Sequence, residues 1–174
     1  MDNLFDQWRT KIPNYSVRFK DLFASLANKY TASSDKVSSL GKHFEVQYEL
    51  YTYAFFLGLY SDTRVKFIDG EKKINFSNPI ETWGSKRTVT RKDYKYIQDY
   101  MFMAVVAKSD VDLLALEKGD IESKDIVKQL ISTLEEYVYG GLTIISEKME
   151  DGLNPFLTND SFMQLLVKSG IDDK

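Results

Sequence analysis

Apolar residues return at intervals of three and four along most of this chain, the spacing that lines one face of an α-helix. Between Tyr15 and Tyr30 the stripe is Phe19, Leu22, Phe23 and Leu26. From Phe44 to Tyr60 two stripes run side by side, one through Phe44, Tyr48, Tyr51, Phe55 and Leu59, the other through Val46, Leu50, Tyr53, Leu57 and Tyr60. They leave Glu45, Glu49 and Thr52 as a polar strip, and a helix apolar nearly all round belongs inside a bundle. A helix opening near Thr90 and Asp93 carries Ile97, Met101, Ala104 and Val105 as its core stripe, widened by Tyr96, Tyr100 and Met103. The run VDLLALEK is a shorter helix closed by Gly119, a favourable C-terminal cap. The longest helix is predicted from Lys124, after Ser123 as cap, to about Glu150. Its seam is Val127, Ile131, Leu134, Val138, Gly141, Ile145 and Met149, alternating steps of four and three as in a helical bundle. Short amphipathic segments stand before Pro13 and after Asn159.

One stretch breaks the helical rhythm. Val65 and Phe67 precede Asp69-Gly70, and Ile74 and Phe76 follow it. Alternation on both sides of Asp-Gly predicts a β-hairpin with a type I′ turn, whose two central residues need positive φ. The expected fold is therefore mainly all-α, an irregular bundle of about five to seven helices, with a small β-hairpin insertion around residues 64–76. The chain reads as a single helical domain, 1–174, in which 61–89 is the hairpin and loop insertion.

Gly140 and Gly141 fall in the middle of the longest helix, where each glycine costs about 1 kcal/mol relative to alanine. Gly141 lies on the seam, so close approach of a neighbouring backbone is the expected reason for it, with the aromatic helix 44–60 as the neighbour. Gly140 lies beside the seam and is expected to tolerate alanine. A hinge or ligand notch is the functional alternative.

Composition adds three things. There are 11 Tyr, 11 Phe and 2 Trp among 174 residues, which implies a large core or a core with one adhesive face. There is no cysteine, which excludes disulfides, thiolate catalysis and sulfur-ligated zinc. The net charge of −3 conceals a basic middle, with nine Lys/Arg against five Asp/Glu over 61–95, and an acidic last third, with six against fourteen over 109–174. The opening MDNLFDQWRTKIP lacks a basic region followed by an apolar run, so it does not read as a signal peptide. No run approaches the roughly 18 apolar residues of a membrane span. A soluble, cytoplasmic protein without a membrane partner is expected.

Candidate chemistry is sparse. His43, Glu45 and Glu49 form H-x-E-x-x-x-E, but di-metal sites in bundles need Glu-x-x-His motifs on facing helices, and the chain has none. No metal and no cofactor are expected. Glu135, Glu136, Glu147, Glu150 and Asp151 are expected on the outer, acidic face of the long helix. Phosphate-binding glycine loops and nucleophile elbows are missing. The reading leans away from an enzyme.

The remaining candidate is the basic segment. Arg64, Lys66, Lys72 and Lys73 belong to the expected hairpin, and Lys86, Arg87, Arg91, Lys92 and Lys95 to the loop and helix start after it, with Trp83 and Tyr94 interleaved. Cations with aromatics suit an acidic protein partner or the backbone and bases of a nucleic acid; the same charges also suit a merely solvated loop. Two functions follow. The first is a non-enzymatic interaction module, an adaptor or accessory subunit binding a protein partner. The second is a nucleic-acid-binding accessory factor of a DNA- or RNA-processing system.

Overall fold

The structure is a computed structural model and describes residues 3–27, 44–76, 78–84, 96–151, 163–165 and 167. It is mainly helical, as the periodicity predicts. The elements are α1 (Leu4–Arg9), β1 (Asn14–Ser16), a 3-10 turn (Val17–Phe19), α2 (Lys20–Leu26), α3 (Gln47–Tyr60), β2 (Lys73–Asn75), a second 3-10 turn (Ile80–Thr82), α4 (Tyr96–Lys108), α5 (Leu113–Lys118) and α6 (Ser123–Asp151). No helix among the described residues is long and apolar enough to cross a membrane. The chain divides into two compact units, one of residues 1–14 and 74–135, the other of residues 15–73 and 136–174.

In the first unit, Asn3 starts α1 by accepting the Asp6 N–H at 2.8 Å, which satisfies one of the helix's orphan donors. Trp8 is fully buried, with Phe5 and Phe102 6.2 and 5.4 Å from its ring. Phe76 packs edge-on to Trp83 at 5.2 Å. Of the stripe predicted for α4, Met101 and Val105 are buried. Tyr96, Tyr100 and Met103, expected to widen the core, are instead 77%, 60% and 56% exposed. Asp112 caps α5 through the Ala115 N–H, and Gly119 closes it in the left-handed conformation at φ 81°.

In the second unit, Phe19, Leu22, Phe23 and Leu26 are buried, although the helix carrying the last three starts only at Lys20. The residues before it, Asn14–Ser16, are a strand. Along α3, Leu50, Tyr51, Ala54, Phe55 and Leu57 are buried, each large apolar side chain contributing about 1.5–3 kcal/mol. Thr52, assigned to the polar strip, is buried as well. Glu49 does not stand idle on that strip: its carboxylate accepts the N–H groups of Glu45 and Val46 at 2.8 and 3.4 Å, capping the start of α3. The helix ends with Asp62 at φ 46°, the Asp62 and Thr63 N–H groups returning to the Leu59 and Gly58 carbonyls. That is the Schellman arrangement, with aspartate in the place usually held by glycine.

The small β element is present, but its strands are not neighbours in sequence. β2 pairs with β1, and the ladder continues with Val17 N–H on the Lys72 carbonyl and Phe76 N–H on the Pro13 carbonyl. The expected turn exists, since Glu71 N–H reaches the Ile68 carbonyl at 3.0 Å. Only Gly70 has positive φ there, at 80°. A type I′ turn needs both central residues in that region, and turns of the other hand splay the flanking strands. The arm before the turn therefore goes elsewhere.

Candidate functional site

From Thr133 to Leu142 every residue of α6 is buried, so this stretch has no solvent side on which to place its polar groups. Glu135 and Glu136, expected on an outer acidic face, are 5% and 7% exposed. Buried carboxylates need partners, and each has one from a distant segment. In the first unit Glu135 accepts the Asn14 backbone N–H at 2.7 Å and its side-chain amide at 3.0 Å. In the second unit Glu136 meets Arg64 Nε at 2.6 Å, and the guanidinium lies 5.9 Å from the Tyr137 ring centre. Glu147, Glu150 and Asp151, by contrast, are exposed.

One turn further along, Tyr139 is the centre of a second polar cluster in the same unit. Its hydroxyl donates to Glu71 Oε1 at 3.3 Å and accepts from Arg18 Nη1 at 3.1 Å. Ser16 Oγ donates to the same Glu71 oxygen, and the Ile68 N–H donates to the other at 3.2 Å. Phe19 and Phe67 present edge-on contacts to the Tyr139 ring at 5.1 and 5.4 Å. The hydrogen bond to Tyr139 raises the Arg18 pKa above its ordinary value, with burial opposing and the charges of Glu71 and Glu150 assisting. Arg18 is thus a fixed cation. The cluster ties the chain around Gly70 to α6 and β1, and its donors and acceptors are matched to one another.

The basic segment distributes unevenly. Arg64 is committed to Glu136. Lys66 and Lys72 are exposed, and Lys73 extends its ammonium to 3.9 Å above the Phe67 ring. Trp83 is not a surface anchor: it is 2% exposed, its indole N–H donates to the Asn78 carbonyl and its own carbonyl accepts from Gln98 Nε2 at 2.6 Å. Lys86, Arg87, Arg91, Lys92, Tyr94 and Lys95, like His43, lie outside the described residues. Among the described residues no group of three or more His, Cys, Asp and Glu is placed to hold a metal ion.

Sequence reasoning missed Ser16, Arg18, Glu71 and Tyr139. Their partners are 55, 68 and 121 positions apart, and no local pattern announces contacts of that range. No family model matches the chain, and comparison with curated proteins and with solved structures returns no match.

Proposed function

We propose that this protein is a non-enzymatic interaction module, an adaptor or accessory subunit of a larger assembly. The observation that carries the reading is the outward face of α4. Tyr96, Tyr100 and Met103 stand at positions i, i+4 and i+7, one side of the helix, and all three are more than half exposed. Side chains of this kind are enriched at protein interfaces. The exposed Asp99 lies on the same side at i+3, placing one carboxylate among the apolar groups. The complementary occupant is a partner's amphipathic helix whose apolar stripe carries a lysine or arginine opposite Asp99.

The test compares the wild-type chain with a Tyr100→Glu/Met103→Glu variant shown to unfold at the same temperature. Partners are isolated from the native source, identified, purified and titrated calorimetrically against both proteins. A partner that binds wild type and loses about tenfold or more in affinity to the variant, as expected for interface anchors, supports the reading. Equal affinity for both overturns it.

A further inference from the structure

After the Schellman turn at Asp62, side chains alternate in direction. Thr63, Val65 and Phe67 are partly buried, while Arg64, Lys66 and Ile68 are exposed, Ile68 to 64%. A period of two is that of an extended chain, yet this segment belongs to no sheet. On one edge it leans on a helix: Val65 N–H donates to the Glu136 carbonyl of α6 at 3.1 Å. Successive residues of an extended chain direct their backbone groups to opposite edges. Lys66 therefore turns its N–H and C=O away from α6, and among the described residues neither group makes a hydrogen bond.

The surroundings of that open edge are specific. The turn closed by Glu71 N–H on the Ile68 carbonyl brings the chain back. Lys73 then sits over Phe67, the inward neighbour of Lys66, at 3.9 Å, and Lys72 precedes it on the returning arm. An unpaired N–H and C=O, an exposed isoleucine and the exposed Lys66 and Lys72 thus stand within a few residues of one another.

We propose that residues 64–68 dock an extended acidic peptide of a partner protein by strand addition. The peptide backbone closes on the Lys66 N–H and C=O, an apolar side chain covers Ile68, and Asp or Glu residues meet Lys66 and Lys72. Main-chain bonds supply the attachment and the side chains the selectivity. A second copy of this chain is a poor occupant: two-fold pairing at Lys66 sets lysine beside lysine, the arrangement by which edge strands avoid one another. A nucleic acid answers the ammonium groups and leaves both the Lys66 N–H and C=O edge and Ile68 without matching partners. Phe67, which would have to stack on a base, is turned inward under Lys73. The surface is independent of α4, so its failure leaves the reading of that helix standing.

The experiment uses the full chain and a labelled peptide of alternating glutamate and valine, followed by fluorescence anisotropy at low salt. Two further versions of the peptide are N-methylated at every second residue, one in each register, which removes donors from one edge at a time. A lysine–valine peptide and labelled single-stranded DNA and RNA complete the set. The expected result is saturable binding of the acidic peptide, lost in one N-methyl register and kept in the other. Lys66→Glu should weaken it by about tenfold or more, while the lysine–valine peptide should not bind. Equal binding of both N-methyl registers, unchanged binding by Lys66→Glu, or tighter binding of DNA or RNA than of the peptide each overturns the proposal. So does a wild-type dimer in sedimentation that Lys66→Glu dissociates.

Discussion

The α-carbon of Gly141 faces the carbonyl oxygen of Ala54 so closely that a methyl group on it would stand 1.8 Å from that oxygen. The approach is reciprocal. A methyl group on Gly58 of α3 would stand 2.1 Å from the Tyr137 carbonyl oxygen of α6. Gly58 on one helix and Gly141 on the other thus let α3 and α6 meet backbone to backbone, and a methyl group on Gly140 would stand 1.9 Å from the carbonyl oxygen of Thr63, beyond the end of α3.

Gly141→Ala and Gly140→Ala are each expected to destabilise the second unit by about 3 kcal/mol, the upper end of overpacking costs, because the obstructing atoms are backbone. The expectation that Gly140 tolerates alanine is therefore reversed: its helix face is not the seam, but the chain beyond α3 lies against it. Urea unfolding of each variant measures the cost. Gly70→Ala is the contrast, with nothing within 4 Å and only the left-handed backbone to penalise, about 1–2 kcal/mol. A Gly141→Ala midpoint equal to wild type would show that the helices part freely there.

The sequence made Gly141 legible because a seam position and an aromatic neighbour can both be read from periodicity. It did not make Gly140, Glu135 or Glu136 legible, since burial there comes from segments far away in the chain. An acidic residue off the seam looks the same whether water or Asn14 faces it. The β element is present, but which strands would pair was hidden for a related reason. Asp69-Gly70 specifies a turn, but whether the arms pair depends on competition, and β1 and the Glu136 carbonyl win the two arms. Among the described basic residues of that segment, Lys66, Lys72 and Lys73 keep exposed positions. Arg64 and Trp83 show how a cation or a ring in such a segment can serve the fold instead.

Arg64→Ala should cost more than Glu136→Gln. Removing the guanidinium leaves the Glu136 carboxylate, whose side chain is 10% exposed, without its cation, whereas glutamine keeps an oxygen for Arg64 Nε. Arg64 is about a third exposed, so water softens the loss to about 1–3 kcal/mol. Chemical denaturation of both variants gives the order, and a reversed order would mean that the pair contributes little.

Glu49→Ala should lower stability by about 1 kcal/mol, the usual worth of a helix N-terminal cap, by freeing the Glu45 and Val46 N–H groups. Glu45→Ala, whose exposed side chain caps nothing in this arrangement, is the control. Equal thermal midpoints for the two variants would remove the capping role.

Alkaline stability should reflect Tyr15 and Tyr53. Burial raises both pKa values above the ordinary 10.0, so the folded state holds its phenolic protons to higher pH than the unfolded chain does. Their contribution is fully present below about pH 10 and declines as pH rises, with a slope approaching 1.4 kcal/mol per pH unit for each group. Tyr53→Phe keeps the ring against Phe44 and removes the proton. Its unfolding free energy should fall less steeply above pH 10 than that of wild type; parallel curves would contradict the burial.

Tyr139→Phe isolates what the hydroxyl contributes, because the ring keeps its edge-on contacts with Phe19 and Phe67. Two hydrogen bonds disappear with it, the one given to Glu71 and the one received from Arg18. Glu71 retains Ser16 and the Ile68 N–H, so it is not stranded, and the loss is expected to be about 1–2 kcal/mol. Glu71→Gln weakens the same contact from the other side. If hydroxyl and carboxylate act on one another, the double variant must cost less than the two singles added together, by about 0.5–1 kcal/mol. That coupling is read from urea unfolding of the four proteins. Strict additivity would show that the 3.3 Å contact carries no energy, and that the chain around Gly70 is held by its other contacts, among them Ser16 on Glu71, the Phe67 ring and the Val17 N–H on the Lys72 carbonyl.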